Sequence, residues 1–303
     1  MSFSSELESI QPGKRKTFSF SRIQAIAWNT LTELVRLKVF YFLLLFALVI
    51  IGSSLFMIQF TFQQEFQVLK DASLGAMTIF TSLLAILATA NLLPKDIEDR
   101  TLYTILAKPV PRFEYLLGKL FGVFFLLLIS VFCMSVVFVV VLSLRQTTVL
   151  AEVQKEFSAS PEDLAVKVRE VHAAGLTSSI FQGVGLIYIK ACVLASLTLF
   201  ISTFATSAIF TTIVAVVVYF IGHLQATARE YWLAAGDVGW GTRVFTALIS
   251  LIFPDLQLFN LVDDIVAGNP VAAALFLRTC GLGLLYIIFY TLAAQFIFVK
   301  KEL

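Results

Sequence analysis

The 303-residue chain is 59% hydrophobic and only 14% charged, with a mean hydropathy of +0.91. Soluble domains carry about 25% charged residues, so a soluble globule is excluded. A net charge of +2 leaves no basic footprint for nucleic acid, and the odd cysteine count (Cys133, Cys192 and Cys280, all in or beside apolar runs) argues against a disulfide framework. Each cysteine reads as a small buried hydrophobe.

Residues 1–20 are polar, with the basic cluster Lys14-Arg15-Lys16, and read as a cytoplasmic tail. Residues 21–303 read as one transmembrane domain. The first forty residues lack a signal-peptide h-region, so insertion is expected to rely on the first true crossing. Ile23, Ile26, Ala27, Leu31, Leu34 and Val35 fall on one helical face, opposed by Arg22, Gln24, Asn29, Glu33 and Arg36. The spacing predicts an amphipathic helix lying in the membrane interface or packed on a soluble partner. Crossings of about 20 apolar residues follow at about 39–58 and 74–93, with a short outer link over 59–73.

A charged island at 94–116 separates these from a third crossing, about 117–144, long enough to tilt or project from the bilayer. The chain then turns polar over 145–178. There Ser160-Pro161-Glu162-Asp163 combines an N-cap, a proline at the first helical position and an acidic residue three past the cap. A small outer helix is predicted, with Leu164, Val168 and Val171 on one face and a stop at Gly175. Crossings at about 180–203 and 207–225 are joined by almost nothing and must form an antiparallel hairpin. Residues 226–243 are polar and aromatic, as at an interface. Val244–Phe253 is too short to span and, with Pro254 behind it, reads as a re-entrant or interfacial helix. A loop region, Pro254–Leu261 and Gly268-Asn269-Pro270, precedes the sixth crossing at about 282–299. The fold class is therefore an all-α integral membrane protein with six transmembrane helices.

The island is the most informative run. Asp96, Glu98 and Asp99 crowd the start of a short helix over 95–107, where carboxylates suit the positive end of the dipole. Pro109 and Pro111 end it. Such a charged helix cannot sit in lipid, and its residues alone leave open an ordinary solvated loop or contact with a soluble partner. The run from Glu98 through Thr101-Leu102, Ala107-Lys-Pro-Val-Pro-Arg112 and Leu116-Leu-Gly-Lys119 resembles the cytoplasmic signature of type-2 ABC transporter permeases. Many members carry glycine where this chain has Arg100. The resemblance implies a coupling helix that docks on an ATP-hydrolysing subunit, an N-terminal elbow helix, and a proline-containing segment between the last two crossings. It also implies a complex of two permease chains, identical or related, with two ATP-binding subunits, exporting a substrate across a bacterial inner membrane. Asp96, Glu98, Asp99, Arg100, Thr101, Leu102 and Arg112 are the expected contacts with the ATPase, where charged groups would set register and orientation.

Orientation follows from the basic residues. Lys14, Arg15, Lys16, Arg22, Arg36, Lys38, Lys95, Arg100, Lys108, Arg112, Lys119, Lys300 and Lys301 share the side of the two ends, while the first outer link holds only Lys70. Both termini are therefore expected in the cytoplasm.

Gly118-Lys119 builds no phosphate cradle, because Phe113 replaces the first glycine and Leu120 the following Ser/Thr. ATP hydrolysis is expected in a separate subunit, with no cofactor and no metal on this chain; His172 and His223 are far apart and lack zinc spacing. Lys190, roughly mid-crossing, is either a functional intramembrane residue or a lysine snorkelling outward. His223 reads as interfacial, and Gly183 and Gly185 as packing glycines. An ion-coupled secondary transporter would need more charged residues inside the crossings. A membrane enzyme would need a polar cluster at one depth, and none is visible. A non-transport assembly partner stays open.

Overall fold

The structure, a computed structural model, describes residues 19–57, 65–98, 111–156, 161–205, 207–234, 240–241, 253–266, 269 and 271–300. Its elements are α1 (Phe20–Val35), α2 (Lys38–Met57), α3 (Glu65–Ala90), α4 (Leu92–Glu98), α5 (Arg112–Glu156) and α6 (Pro161–Ala174). They continue as α7 (Ser178–Phe204), α8 (Ala208–Ala234), a 3-10 turn (Leu256–Phe259), α9 (Val262–Val266) and α10 (Ala273–Lys300). The described residues contain no strand. Five helical stretches are long and apolar enough to cross a membrane, or up to six if α1 and α2, bent by 68°, count as one span.

α7 is the central helix. It is apolar all round, and Ala191, Cys192, Val193, Leu194, Ala195 and Leu199 are buried on every side of it, as expected for a helix enclosed by others. α3, α5, α8 and α10 pack around it. The outward faces are rows of apolar side chains, such as Phe42, Leu45, Phe46 and Val49 on α2 or Leu285, Ile288, Leu292 and Phe296 on α10. Surfaces of this kind belong against lipid or another chain rather than water.

Several helices overrun the expected crossings. The outer link expected over 59–73 is helical from Glu65, because Phe66, Leu69, Lys70 and Ser73 form a helical face that hydropathy alone does not show. Leu69, Lys70 and Ser73 are buried. α5 continues to Glu156, so Arg145 belongs to it and reaches Glu65 at 2.5 Å. At about 1.5 Å per residue its 45 residues run roughly 67 Å, twice the hydrocarbon thickness. α6 folds back on this projecting end, and Leu164, Val168 and Val171 are its least exposed apolar positions. α10 begins at Ala273, so Arg278 is helical too. The proline-containing segment expected as a loop holds the 3-10 turn and α9, with Leu256, Phe259 and Ile265 buried. The re-entrant segment expected over 244–253 lies outside the described residues except Phe253.

α1 runs alongside the start of α5. A Cβ at Gly118 would stand 2.6 Å from Ile26 Cβ, and one at Gly122 would stand 2.6 Å from Thr30 Cβ and 2.8 Å from the Ala27 carbonyl. Gly118-Lys-Leu-Phe-Gly122 is thus a small-xxx-small seat that lets two helices touch backbone to side chain. The apolar face of α1 (Ile23, Ala27, Leu31, Leu34) is buried against this seat and its surroundings. Substituting Gly122 by leucine should lower the stability of the full chain in bicelles by about 1–3 kcal/mol, the usual cost of overpacking. Alanine at Gly52 or Gly75, where a Cβ meets open space, should be neutral or stabilising by up to about 1 kcal/mol.

Candidate functional site

The first turns of α5 send one charged or hydroxylated side chain toward each neighbouring helix at the face where α10 ends. Glu114, 1% exposed, accepts from the Ser19 backbone N–H at 3.0 Å and from Arg22 Nε and Nη2 at 2.6 and 2.8 Å. Ser19 makes no side-chain cap at the start of α1, and Glu114 instead closes that helix end from α5. Arg112 donates from Nη1 to the Phe298 and Val299 carbonyls at 3.0 and 2.9 Å. It thereby serves orphan carbonyls at the C-terminus of α10. Tyr115 stacks on Phe298 with ring centroids 6.1 Å apart.

Between α5 and α4 lies a carboxylate–ammonium cluster. Lys119 Nζ stands 2.7 Å from Asp96 Oδ2 and 3.7 Å from Glu33 Oε2, and the Tyr115 hydroxyl donates to Asp96. Lys95 Nζ donates to Glu33 Oε1 at 2.5 Å. Glu33 on α1 therefore bridges one lysine of α4 and one of α5. Burial alone would raise the Glu33 carboxyl, but the Lys95 hydrogen bond and the Lys119 and Lys95 charges hold it below its ordinary 4.5.

The expected partner contacts divide. Asp96, expected to face an ATPase, turns inward instead and is 7% exposed, because Lys119 and Tyr115 meet its carboxylate. Arg112 is engaged by the carbonyls of α10. Glu98 is exposed, on the rim of a cleft of about 220 Å³ that also touches Glu33, Lys95 and Ala208. Asp99, Arg100, Thr101 and Leu102 lie outside the described residues, as does most of the helix expected over 95–107; its described part, α4, starts at Leu92. Glu33, Glu114, Tyr115 and Lys119 were not singled out from sequence. The available signal was a carboxylate and a lysine at the mouth of an apolar run, each of which demands a partner.

A second polar site lies within the helices. Lys190 is 2% exposed, and its Nζ is 2.9 Å from His223 Nε2. His223 Nδ1 is 3.0 Å from the Tyr219 carbonyl, which can only accept, so Nδ1 carries the proton and Nε2 accepts from Lys190. The lysine is thus bonded internally rather than snorkelling, and His223, expected at an interface, is its partner. A Cβ at Gly183 would lie 2.4 Å from Ile265 Cδ1, whereas Gly185 leaves ordinary room beside Phe276.

Replacing Lys119 by methionine leaves the Asp96 carboxylate buried without its counter-charge, and should cost about 3–5 kcal/mol of stability. The Lys119→Met/Asp96→Asn double variant should lose less than the sum of the single losses in a denaturation cycle. Glu33 adds an acid-labile part. A carboxyl whose folded value is depressed contributes its full stability above about pH 4.5 and loses it as pH falls through the lower folded value. Acid unfolding of Glu33→Gln should accordingly be flatter than wild type in that window.

No family model matches the chain, and no curated protein matches its sequence.

Proposed function

We propose that the chain is the membrane-spanning permease subunit of an ATP-driven ABC transporter, an exporter of a bacterial inner membrane with both termini in the cytoplasm. It contributes six crossings and works beside a second permease chain and two ATP-binding subunits. The observation that carries this reading is the charged run resembling the coupling element, which leaves α3 through α4 and returns into α5. Its described ends are tied by side chains to α1, α5 and α10. A motor pressing on this run would meet a clamped lever rather than a free loop. Glu33 would pass the load to α1, Lys119 to α5, and Arg112 to the end of α10. Glu98, exposed at this face, is the described residue best placed to touch the motor.

Affinity purification of the full chain from native membranes should bring down an ATP-binding subunit. Recovery of the chain alone under conditions that preserve other membrane complexes would count against the reading. In the reconstituted complex, Glu98→Lys should leave folding intact and reduce transport-coupled ATP hydrolysis several-fold. Full stimulation in that variant would remove Glu98 from the contact. Membrane-impermeant labelling of Lys108 from outside intact cells should fail; success would overturn the assigned sidedness.

A further inference from the structure

Lys190 and His223 stand on the two arms of the α7–α8 hairpin, each about 23 Å along its helix from the 205–207 turn at 1.5 Å per residue. They meet partway along the arms, well away from that turn. A third element lies on them here. The backbone of residues 254–256 presses on α8 at the turn carrying His223, since a Cβ at Gly222 would sit 2.7 Å from the Pro254 carbonyl. Asp255, 3% exposed, caps the 3-10 turn by accepting from the Gln257 N–H at 3.1 Å.

The imidazole is bonded to Lys190 from α7 and packs on Tyr219 of its own helix, whose ring centroid is 4.3 Å away, and the 3-10 segment seated beside it at Gly222 carries Asp255. α3 adds the uncharged Ser82, whose hydroxyl donates to the Thr78 carbonyl of its own helix. A lysine ammonium has only donors. Its bond to His223 exists only while Nε2 keeps its lone pair. One proton taken up from water at Nε2 converts the acceptor into a second donor and places two cations 2.9 Å apart. The segment seated at Gly222 carries the carboxylate Asp255.

We propose that the Lys190–His223 bond is a proton-operated latch that holds the α7 and α8 arms together when His223 is neutral and releases them when it is protonated. On release, the α8 arm moves with the 3-10 segment seated on it at Gly222 and away from α7. The latch does not depend on the ATPase-coupled reading, since it rests only on the hairpin and the segment seated on it.

The test uses the full chain in lipid nanodiscs, with the three native cysteines replaced by alanine and nitroxide labels at Phe181 and Leu224, both exposed. Pulsed electron paramagnetic resonance measures the label separation at about pH 8 and about pH 5, the range in which histidine titrates. Histidine-selective nitrogen NMR in a His172→Gln background reports His223 alone. At the higher pH His223 should show a single protonated nitrogen, Nδ1; on acidification it should gain a second proton, and the separation should lengthen over the same interval. His223→Gln, whose amide oxygen accepts from Lys190 without titrating, should keep the short separation at both pH values. Lys190→Met, which removes the repulsion, should abolish the pH-dependent change. The proposal is overturned if His223 stays neutral across the range, if it protonates with the separation unchanged, or if the change persists in His223→Gln. The wild-type and His223→Gln measurements decide it even where Lys190→Met does not fold.

Discussion

Charge withdrawn from water has to meet its complement, and at the start of α5 this requirement fixes how four helices come together. Glu114 is closed by Arg22 and the α1 backbone, Asp96 by Lys119 and Tyr115, and the carbonyls of α10 by Arg112. The Glu114 and Asp96 pairs could not be exchanged for a looser arrangement without stranding a buried carboxylate, which costs far more than a surface pair contributes. Hydrophobic packing brings apolar faces together but tolerates sliding. A carboxylate between a lysine and a tyrosine hydroxyl tolerates little. The ionic contacts therefore set the register of α1, α4 and α10 on α5, and the Gly118–Gly122 seat sets how closely α1 can approach.

That pairing also explains what could be read from the sequence and what could not. Apolar runs marked the long helices because lipid-facing and core-facing residues both raise hydropathy. Their ends were hidden, because Lys70, Arg145 and Arg278 look like loop residues until their surroundings are known. Arg145 continues α5 partly through Glu65, 80 residues earlier, and no local window contains that pair. Asp96 illustrates the same limit: its acidic neighbours suggested a solvent-facing cluster, yet its partner is Lys119, beyond the proline break. The Lys190–His223 contact was within reach. The hairpin with its minimal link was evident, and the two residues lie at nearly equal distances from the turn, so antiparallel pairing brings them to one level. A lysine and a histidine at one level amount to the polar cluster that the linear reading did not find.

The two polar sites differ in what they can do. The ionic cluster is multiply connected: Lys119 touches two carboxylates, and Glu33 touches two lysines. Removing one proton or one contact leaves the others in place, so the cluster suits a joint that transmits force without opening. The Lys190–His223 bond is a single contact between one donor and one titratable acceptor. In the proposed latch it has two discrete arrangements, made and broken, which is the condition for a switch rather than a clamp.

α5 and α7 connect these behaviours. α5 is one uninterrupted helix from Arg112 to Glu156, anchored by charge at its first turns and again at Arg145. A helix of that length bends gently but does not absorb a displacement at one point unless a proline or bulge interrupts it, and neither its sequence nor its hydrogen bonding provides one. α7 packs against α5, α3 and α10 along its buried length and carries Lys190 on the arm that pairs with α8. On the proposed reading, load entering at Lys119 and Arg112 would be delivered to helices that touch α7 along its length. The Lys190–His223 bond then decides whether α7 and α8 move as one body or two. Energetic coupling between the faces requires a two-state element that both can bias, and this hairpin is the described part of the molecule with the chemistry to be one.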